Sequence, residues 1–138
     1  MKPFSLILLF ILLMFSQLSG QVPDSVKFKS LTPHYFHLQY LKEDSALMID
    51  VREFFEYRVS RIRDAVNIPS SRNLEFSVDT IDKNFALFLY CTTDYRSIRV
   101  ARFFCDQGFR KVYSLEGGIV AWKKEGFPVE KKRVRRKK

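Results

Sequence analysis

The strand, loop and helix predicted between residues 85 and 107 constrain the fold of this chain more than any other segment. The unbroken apolar run Phe85–Tyr90 predicts a strand that is buried on both faces, as in a parallel sheet between helix layers. Cys91 follows the strand, and after a short loop Arg96 and Ser97 open a helix. Backbone N–H groups and the positive end of the helix dipole converge on the thiol in such a turn. Because these surroundings stabilise a thiolate, the pattern predicts a reactive cysteine.

The rest of the chain alternates short apolar runs with helical patterns. Further strands are predicted at Ala46–Val51, Ala65–Ile68 and Lys111–Leu115. Further helices are predicted at Thr32–Lys42, Phe54–Arg58, Asn73–Ile81 and Gly117–Glu125. This alternation indicates an α/β domain with a central, mainly parallel sheet flanked by helices. Ligands of such sheets bind beyond the carboxyl ends of the strands, where Asp50, Cys91 and Glu116 fall.

The first predicted helix has a clear start. Thr32 supplies a candidate capping hydroxyl, and Pro33 occupies the first helical position. The helical period places Tyr35, Leu38 and Leu41 on one side.

Residues 1–20 resemble a secretory signal peptide. Lys2 precedes ten unbroken apolar residues, Leu6–Phe15, and small residues follow up to Gly20, near which cleavage is expected. A membrane span needs about 20 apolar residues, so an uncleaved anchor is the alternative rather than the main prediction. The sequence predicts an exported protein, periplasmic or secreted, with one domain at 21–130.

The formal net charge of +9 is concentrated at the carboxyl end of the chain. Seven of the eight residues from Lys131 to Lys138 are basic. Without these seven and Lys2, 16 Lys and Arg face 15 Asp and Glu, so the domain itself is nearly neutral. The charge therefore favours a solvated, disordered tail, or one that contacts an anionic membrane or an acidic partner, over nucleic-acid binding.

The two cysteines are not expected to form a disulfide. Cys105 lies on the predicted helix roughly 13 Å along its axis from Cys91, whereas bridged α-carbons lie within about 7 Å. Cys105 shares a helix face with Ile98 and Ala101 and is predicted to be a buried core thiol. His34 and His37 have metal-ligand spacing but no evident third ligand, so we predict neither a metal nor a cofactor.

Four segments, in order, resemble the signatures of single-domain rhodaneses, which are sulfurtransferases. The resemblance covers residues 28–129, nearly all of the predicted domain. Its markers are Ile49–Glu53, Ile62 with Ala65–Pro69, Tyr90-Cys91 with Arg96-Ser97 and Ala101, and Val112, Leu115, Gly117-Gly118, Trp122, Gly126 and Pro128. The ordered set is much more specific than any one of its members.

The resemblance implies persulfide chemistry on Cys91. The thiolate would take the outer sulfur of thiosulfate or of a persulfide on a small thiol or a protein, and pass it to a thiophilic acceptor. Substrate-binding groups would come from the loop that follows, namely Thr92, Thr93, Asp94, Tyr95, Arg96 and Ser97. Arg96 would bind the anionic donor, Asp50 and Arg52 would form a supporting ion pair, and Glu116 would orient the loop.

The resemblance also leaves alternatives and departures. Four residues separate Cys91 from Arg96, the sulfurtransferase spacing, whereas related phosphatases carry one more. A phosphatase or arsenate reductase and a catalytically weak binding module remain alternatives. Asp94 stands where the family usually has glycine, which would supply positive φ, and residues 60–65 depart from the second signature. We expect the Asp94 charge to disfavour small anionic donors.

Overall fold

The computed structural model describes residues 27–72 and 74–131, which form an α/β domain. Its strands are β1 (Lys29–Leu31), β2 (Ala46–Asp50), β3 (Ser60–Arg61), β4 (Val66–Asn67), β5 (Ala86–Tyr90), β6 (Val112–Leu115) and β7 (Glu130–Lys131). Its helices are α1 (Pro33–Lys42), α2 (Phe54–Val59), α3 (Glu75–Thr80), α4 (Tyr95–Asp106) and α5 (Gly118–Lys124). The predicted alternation of strands and helices is confirmed.

Five strands form a parallel sheet in the order β1-β6-β5-β2-β4. The central strand β5 is buried along its whole length, as its apolar sequence predicts. Its last residue, Tyr90, is in register with Asp50 at the end of β2. The sheet therefore brings Cys91 and the Asp50 signature to the same edge.

The two faces of the sheet carry separate cores because side chains alternate along each strand. Leu87, Leu89 and Cys91 face one core, where Val100 and Phe104 of α4 pack against them. The opposite core contains residues of β5, α1 and α5, including Ala86, Phe88, Tyr90, Phe36, Ile119 and Trp122. Helices thus cover both faces, which is the predicted rhodanese-like arrangement.

Helix α1 packs on the core through the side that carries Phe36, not the side that carries Tyr35 and Leu41. Tyr35 and Leu41 are 63% and 65% exposed, whereas Phe36 is completely buried. The rings of Phe36 and Tyr40, one turn apart, both meet Phe88 edge-on at a centroid distance of 5.2 Å. Aromatic residues lie on both sides of α1, so the spacing of apolar residues alone does not identify the side that packs on the core.

The start of α1 also differs in its capping. Thr32 precedes the helix and Pro33 is its first residue, as predicted, but the Thr32 side chain makes no capping hydrogen bond. Its backbone carbonyl instead accepts the N–H of Phe36 at 2.8 Å. Pro33 has no N–H that would need a hydrogen-bond acceptor, so α1 can begin there without a bond from the Thr32 hydroxyl.

Both cysteines are free, and Cys105 is only partly buried rather than a core thiol. Its sulfur lies 2.7 Å from the Lys27 carbonyl oxygen, at the margin of the core that contains Phe104. Burial raises the pKa of the Cys105 thiol to about 11, with a smaller contribution from Asp106. This thiol is therefore protonated at neutral pH.

The predicted signal peptide at residues 1–20 lies outside the described residues, as does the basic tail after Lys131. Within residues 27–72 and 74–131, no helix has the length and apolar character that crossing a membrane requires. In the same part of the chain no cluster of three or more His, Cys, Asp or Glu has a metal-binding arrangement. His37 packs against the rings of Trp122 and Phe127.

Candidate active site

Cys91 begins the loop that connects β5 to α4, and the start of α5 holds this loop from the other side. The N–H of Ile119 donates to the carbonyl of Cys91 at 2.9 Å, and the N–H of Val120 donates to that of Thr92 at 3.2 Å. These bonds occupy the first free N–H groups of α5. Gly118 contacts the loop backbone so closely that a Cβ atom there would overlap it. Backbone contacts from α5 therefore fix the path of the loop.

The first turn of α4 fixes the end of the loop. The N–H of Ile98 and the hydroxyl of Ser97 both donate to the carbonyl of Asp94 at 2.9 Å. Ser97 is buried and accepts a hydrogen bond from the Ser114 hydroxyl at 3.0 Å. Among bonds between described residues, no N–H from Thr92 to Ser97 donates to a backbone carbonyl. These N–H groups remain available to an anion in the loop.

Asp94 causes no left-handed backbone strain, contrary to what its place in the sequence suggested. Its φ of −162° is extended backbone, which any residue adopts. The glycine usual in the family is therefore not required here for positive φ. Tyr95, the next residue, is 70% exposed at the start of α4. Asp94 contributes a charge to the loop without distorting it.

Arg96 forms an ion pair with Glu56, a residue that the sequence analysis missed. The two terminal nitrogens of Arg96 donate to the two carboxylate oxygens of Glu56 at 2.8 and 2.9 Å. The Thr92 hydroxyl donates to Glu56 at 2.9 Å and accepts from Arg96 at 2.8 Å. The three side chains form a closed triangle above the loop. Arg96 therefore faces a carboxylate of this chain, where we had expected an anionic donor.

Glu56 is positioned by the start of its own helix. Glu53 and Glu56 form a capping box on α2, in which the Glu53 N–H donates to Glu56 Oε2 at 3.1 Å. The bonds to Arg96, followed by those to Thr92 and Glu53, lower the pKa of Glu56 to about 2 against the effect of burial. Glu56 in turn raises the pKa of Arg96, with a smaller contribution from Cys91. Both members of the pair are charged at neutral pH.

Cys91 itself is only 1% exposed. Cys91 belongs to the core that contains Val51, Leu89 and Ala101, and Arg96 lies near enough to interact with the thiol. The thiol thus lies at the floor of the loop rather than at an open mouth.

Asp50 and Arg52 form the buried ion pair that the resemblance implied. Arg52 Nε donates to Asp50 Oδ1 at 3.0 Å, and Arg52 Nη2 donates to Asp50 Oδ2 at 2.6 Å. The same Nη2 also donates to the Ser60 carbonyl at 2.6 Å, which ties β2 to β3. The Tyr90 hydroxyl accepts the N–H of Ile62 nearby at 3.1 Å. This pair supports the segment that leads into α2 and therefore Glu56.

Glu116 does not contact the loop through its side chain. The carboxylate is exposed, and among the described residues no hydrogen bond joins it to Thr92–Ser97. Only its backbone is engaged, since its N–H donates to Leu31 at 2.9 Å. The orienting role that we expected of Glu116 is performed by the backbone of α5.

Comparison with known proteins identifies the class of this fold and site. The family profile described as "Rhodanese-like domain" matches residues 33–125. Because the match covers more than half of the chain, the chain belongs to the rhodanese-like domain family. The order of its signatures and the topology of its sheet agree with this assignment.

Two curated relatives are similar to about two thirds of this chain. The tRNA uridine(34) hydroxylase of Hamiltonella defensa subsp. Acyrthosiphon pisum (strain 5AT) is 32% identical over 100 residues, which cover 66% of this chain. That of Yersinia pestis (strain Pestoides F) is 30% identical over 101 residues, which cover 67% of this chain. The chain spans 28% of the length of each relative.

Solved structures share the fold. A rhodanese-like domain protein from Staphylococcus aureus is 25% identical with a TM-score of 0.63, and the match covers 75% of this chain and 99% of that one. A thiosulfate sulfurtransferase from Pseudomonas aeruginosa is 20% identical with a TM-score of 0.67, over 81% and 22% of the two chains. At that identity the second likeness shows the fold alone.

Proposed function

We propose that this protein is a sulfurtransferase that carries a sulfane sulfur as a persulfide on Cys91. The Cys91 thiolate attacks the outer sulfur of a donor, thiosulfate or a persulfide. The new S–S bond forms as the donor S–S bond breaks, and sulfite or a thiolate leaves with the electron pair. A thiophilic acceptor then attacks the outer sulfur of the persulfide and regenerates the Cys91 thiolate.

The observation that carries this proposal is the position of Cys91 beneath a loop. Among the described residues, the N–H groups of this loop donate to no backbone carbonyl. A persulfide anion at Cys91 would accept hydrogen bonds from these groups, which are fixed before the sulfur arrives. The loop is held by Ser97 and by the start of α5, so it needs no rearrangement to form this cradle. Membership in the rhodanese-like family supports the same chemistry.

Mass spectrometry of the intact protein after treatment with a sulfur donor tests the proposal. We expect the mass to increase by one sulfur atom, and the increase to be reversed by cyanide. Cys91→Ser should abolish the increase, since no nucleophile remains, and should reduce turnover by at least about a thousandfold. Cys105→Ser is the matched control and should leave the increase intact, because Cys105 is protonated and lies away from the loop.

A non-enzymatic binding module is the second candidate, and one observation favours it. Cys91 is almost inaccessible to a substrate, and Arg96 is already paired with Glu56. Both are expected of a domain that binds a partner through its surface and does no chemistry. If neither thiosulfate nor any organic persulfide adds sulfur to the wild-type protein, the sulfurtransferase proposal is wrong and this module replaces it. The tRNA hydroxylation named for the curated relatives belongs to proteins much longer than this chain.

We also propose that residues 1–20 direct export and are removed, and that the basic residues from Lys131 to Lys138 contact an anionic membrane surface or an acidic partner. The charged start, the apolar core and the small residues up to Gly20 support the export proposal, and the seven basic residues among the last eight support the second proposal. We expect amino-terminal sequencing of the protein from producing cells to begin within a few residues of Gly20. An intact Met1 in the membrane fraction would instead indicate an uncleaved anchor.

A further inference from the structure

We propose that Glu56 determines the class of sulfur donor, because its ion pair with Arg96 disfavours inorganic dianions and favours persulfides on organic thiols. This inference rests on the proposed sulfurtransferase function and assigns a donor class to it. Glu56 is a positioning residue in this scheme, since it acts through Arg96 and does not touch the reacting sulfur atoms.

The loop after Cys91 carries little positive charge of its own. Arg96 is the single cation between Cys91 and Ser97, and both of its terminal nitrogens bind Glu56. Asp94 adds a second negative charge in the same loop. The loop and Glu56 together therefore have a net negative charge before any donor enters. Thiosulfate, a dianion, would have to share Arg96 with the Glu56 carboxylate or displace that carboxylate, and either costs binding free energy.

The Glu56–Arg96 ion pair is firmly held, and its carboxylate stays ionised. Glu56 is bound by Arg96, by the Thr92 hydroxyl and by the Glu53 N–H, so its carboxylate is held from three directions. With its pKa lowered to about 2, it stays ionised throughout the physiological range. The pair is only partly exposed, with side chains 30% and 21% accessible, so solvent screens it less than a surface pair.

Two other arginines, Arg52 and Arg99, do not supply the positive charge that a dianion needs. Arg52 is buried, and its charge is neutralised by Asp50 in the buried ion pair. Arg99 lines a cavity of about 190 Å³ together with Arg96, but its side chain is exposed on α4. Solvent and salt screen an exposed charge of this kind. Glu56 neutralises the positive charge of Arg96, and neither Arg52 nor Arg99 replaces it.

Exposed aromatic side chains lie on the two helices that carry the Glu56–Arg96 pair. Phe54 and Phe55 on α2 and Tyr95 at the start of α4 are 55%, 70% and 70% exposed. Phe55 directly precedes Glu56 in α2, Tyr95 directly precedes Arg96 in α4, and Phe54 is the first residue of α2. Aromatic side chains contact the carbon framework of an organic donor, which thiosulfate lacks. An organic persulfide also carries only one charge on its reacting sulfur.

The reaction with such a donor is balanced without an added oxidant or reductant. The Cys91 thiolate attacks the outer sulfur of the donor persulfide, and the S–S bond of the donor breaks. The donor leaves as a thiolate with the electron pair, and the outer sulfur remains on Cys91 as a persulfide. No net oxidation occurs, because one persulfide replaces another.

The test compares two donors, thiosulfate and the persulfide of 2-mercaptoethanol, in wild-type protein and Glu56→Gln. We expect kcat/KM for thiosulfate to rise roughly tenfold relative to the organic persulfide, the effect of removing one partly screened charge. Most of the change should appear in KM for thiosulfate. Glu56→Asp keeps the charge and should retain the wild-type ratio. Asp94→Asn is the comparator, and an equal or larger shift there would overturn the assignment to Glu56.

A purely structural role for Glu56 predicts a different result. In that case kcat/KM falls for both donors alike and their ratio is unchanged, which would overturn the proposal. Glutamine also places an amide donor against the N–H of Glu53 and a nitrogen of Arg96, which endangers folding. Glu56→Ala removes the carboxylate without adding a donor, and it should show the same shift in the donor ratio.

A binding measurement separates this inference from the proposed function. Calorimetric titration of thiosulfate into Cys91→Ser, which cannot react, should show roughly tenfold tighter binding once Glu56→Gln is added. An unchanged Kd would overturn the role of Glu56, whatever the activity. If the wild-type protein never acquires sulfur from any donor, the proposed function fails, while the titration still decides whether Glu56 excludes dianions.

Discussion

Gly118→Ala is expected to lower the free energy of unfolding by about 3 kcal/mol or more, since positive-φ strain and a forced backbone shift each cost about 1–3 kcal/mol. Gly118 has a φ of +58°, and a Cβ there would lie 2.5 Å from the Cys91 carbonyl oxygen and 2.6 Å from the Thr92 carbonyl carbon. The Thr93 carbonyl oxygen would also be overlapped. These atoms belong to the backbone of the loop, so no side chain can turn aside.

Gly118→Ala should also lower the formation of the persulfide on Cys91. Moving the loop away from Gly118 breaks the bonds from Ile119 and Val120 that fix its path, so persulfide formation should fall along with stability. Urea unfolding and intact-mass analysis measure the two effects. Gly126→Ala is the matched control, because Gly126 has a φ of +83° but open space around its Cα. It should cost only about 1 to 2 kcal/mol, and equal losses in the two variants would contradict the steric argument.

The parts of the fold with strong local signals could be predicted from the sequence. The apolar run at Phe85–Tyr90, followed by Cys91 and a helix, required a buried parallel strand with a thiol at its carboxyl end. The Asp50–Arg52 pair followed from its resemblance to a family signature, and the structure contains it. In each case the relevant residues lie within a few positions of one another, so the pattern is visible locally.

The short strands at the margins of the domain could not be predicted in this way. Strands β3 and β7 are two residues each and pair with one another across about 70 positions of sequence. Strand β1 has three residues and depends on its parallel partner β6. Segments this short contain too few residues for alternation to be recognised. Tertiary pairing, rather than local propensity, defines them.

The role of Glu56 was missed for a related reason. It lies 40 positions from Arg96, and nothing in the spacing indicates that the two side chains meet. A local signal did exist, because Glu53 and Glu56 have the spacing of a capping box at the start of a helix. That signal places Glu56 in the first turn of α2, but only the sheet order brings this turn beside the loop. Without the topology, Arg96 looked available to a donor.

Arg52→Met is expected to destabilise the protein by about 3 to 5 kcal/mol, because it leaves the Asp50 carboxylate buried and without its partner. Asp50 is completely buried and Arg52 nearly so, and two nitrogens of the guanidinium bind the carboxylate. The Ser60 carbonyl would lose its donor as well. Thermal or urea unfolding of the purified variant measures the loss.

Two further variants separate the cost of an orphaned charge from the value of the pair itself. Asp50→Leu combined with Arg52→Met removes both charges and should recover much of the stability, since a buried pair is often no better than apolar side chains of similar volume. Arg61→Met breaks the pair with Glu130, whose side chains are 31% and 40% exposed at 3.3 Å, and should cost less than about 1 kcal/mol. If Arg52→Met were as mild as Arg61→Met, the Asp50 carboxylate would have to reach water in the folded protein. The segment that leads into α2 would then be held by something other than this ion pair.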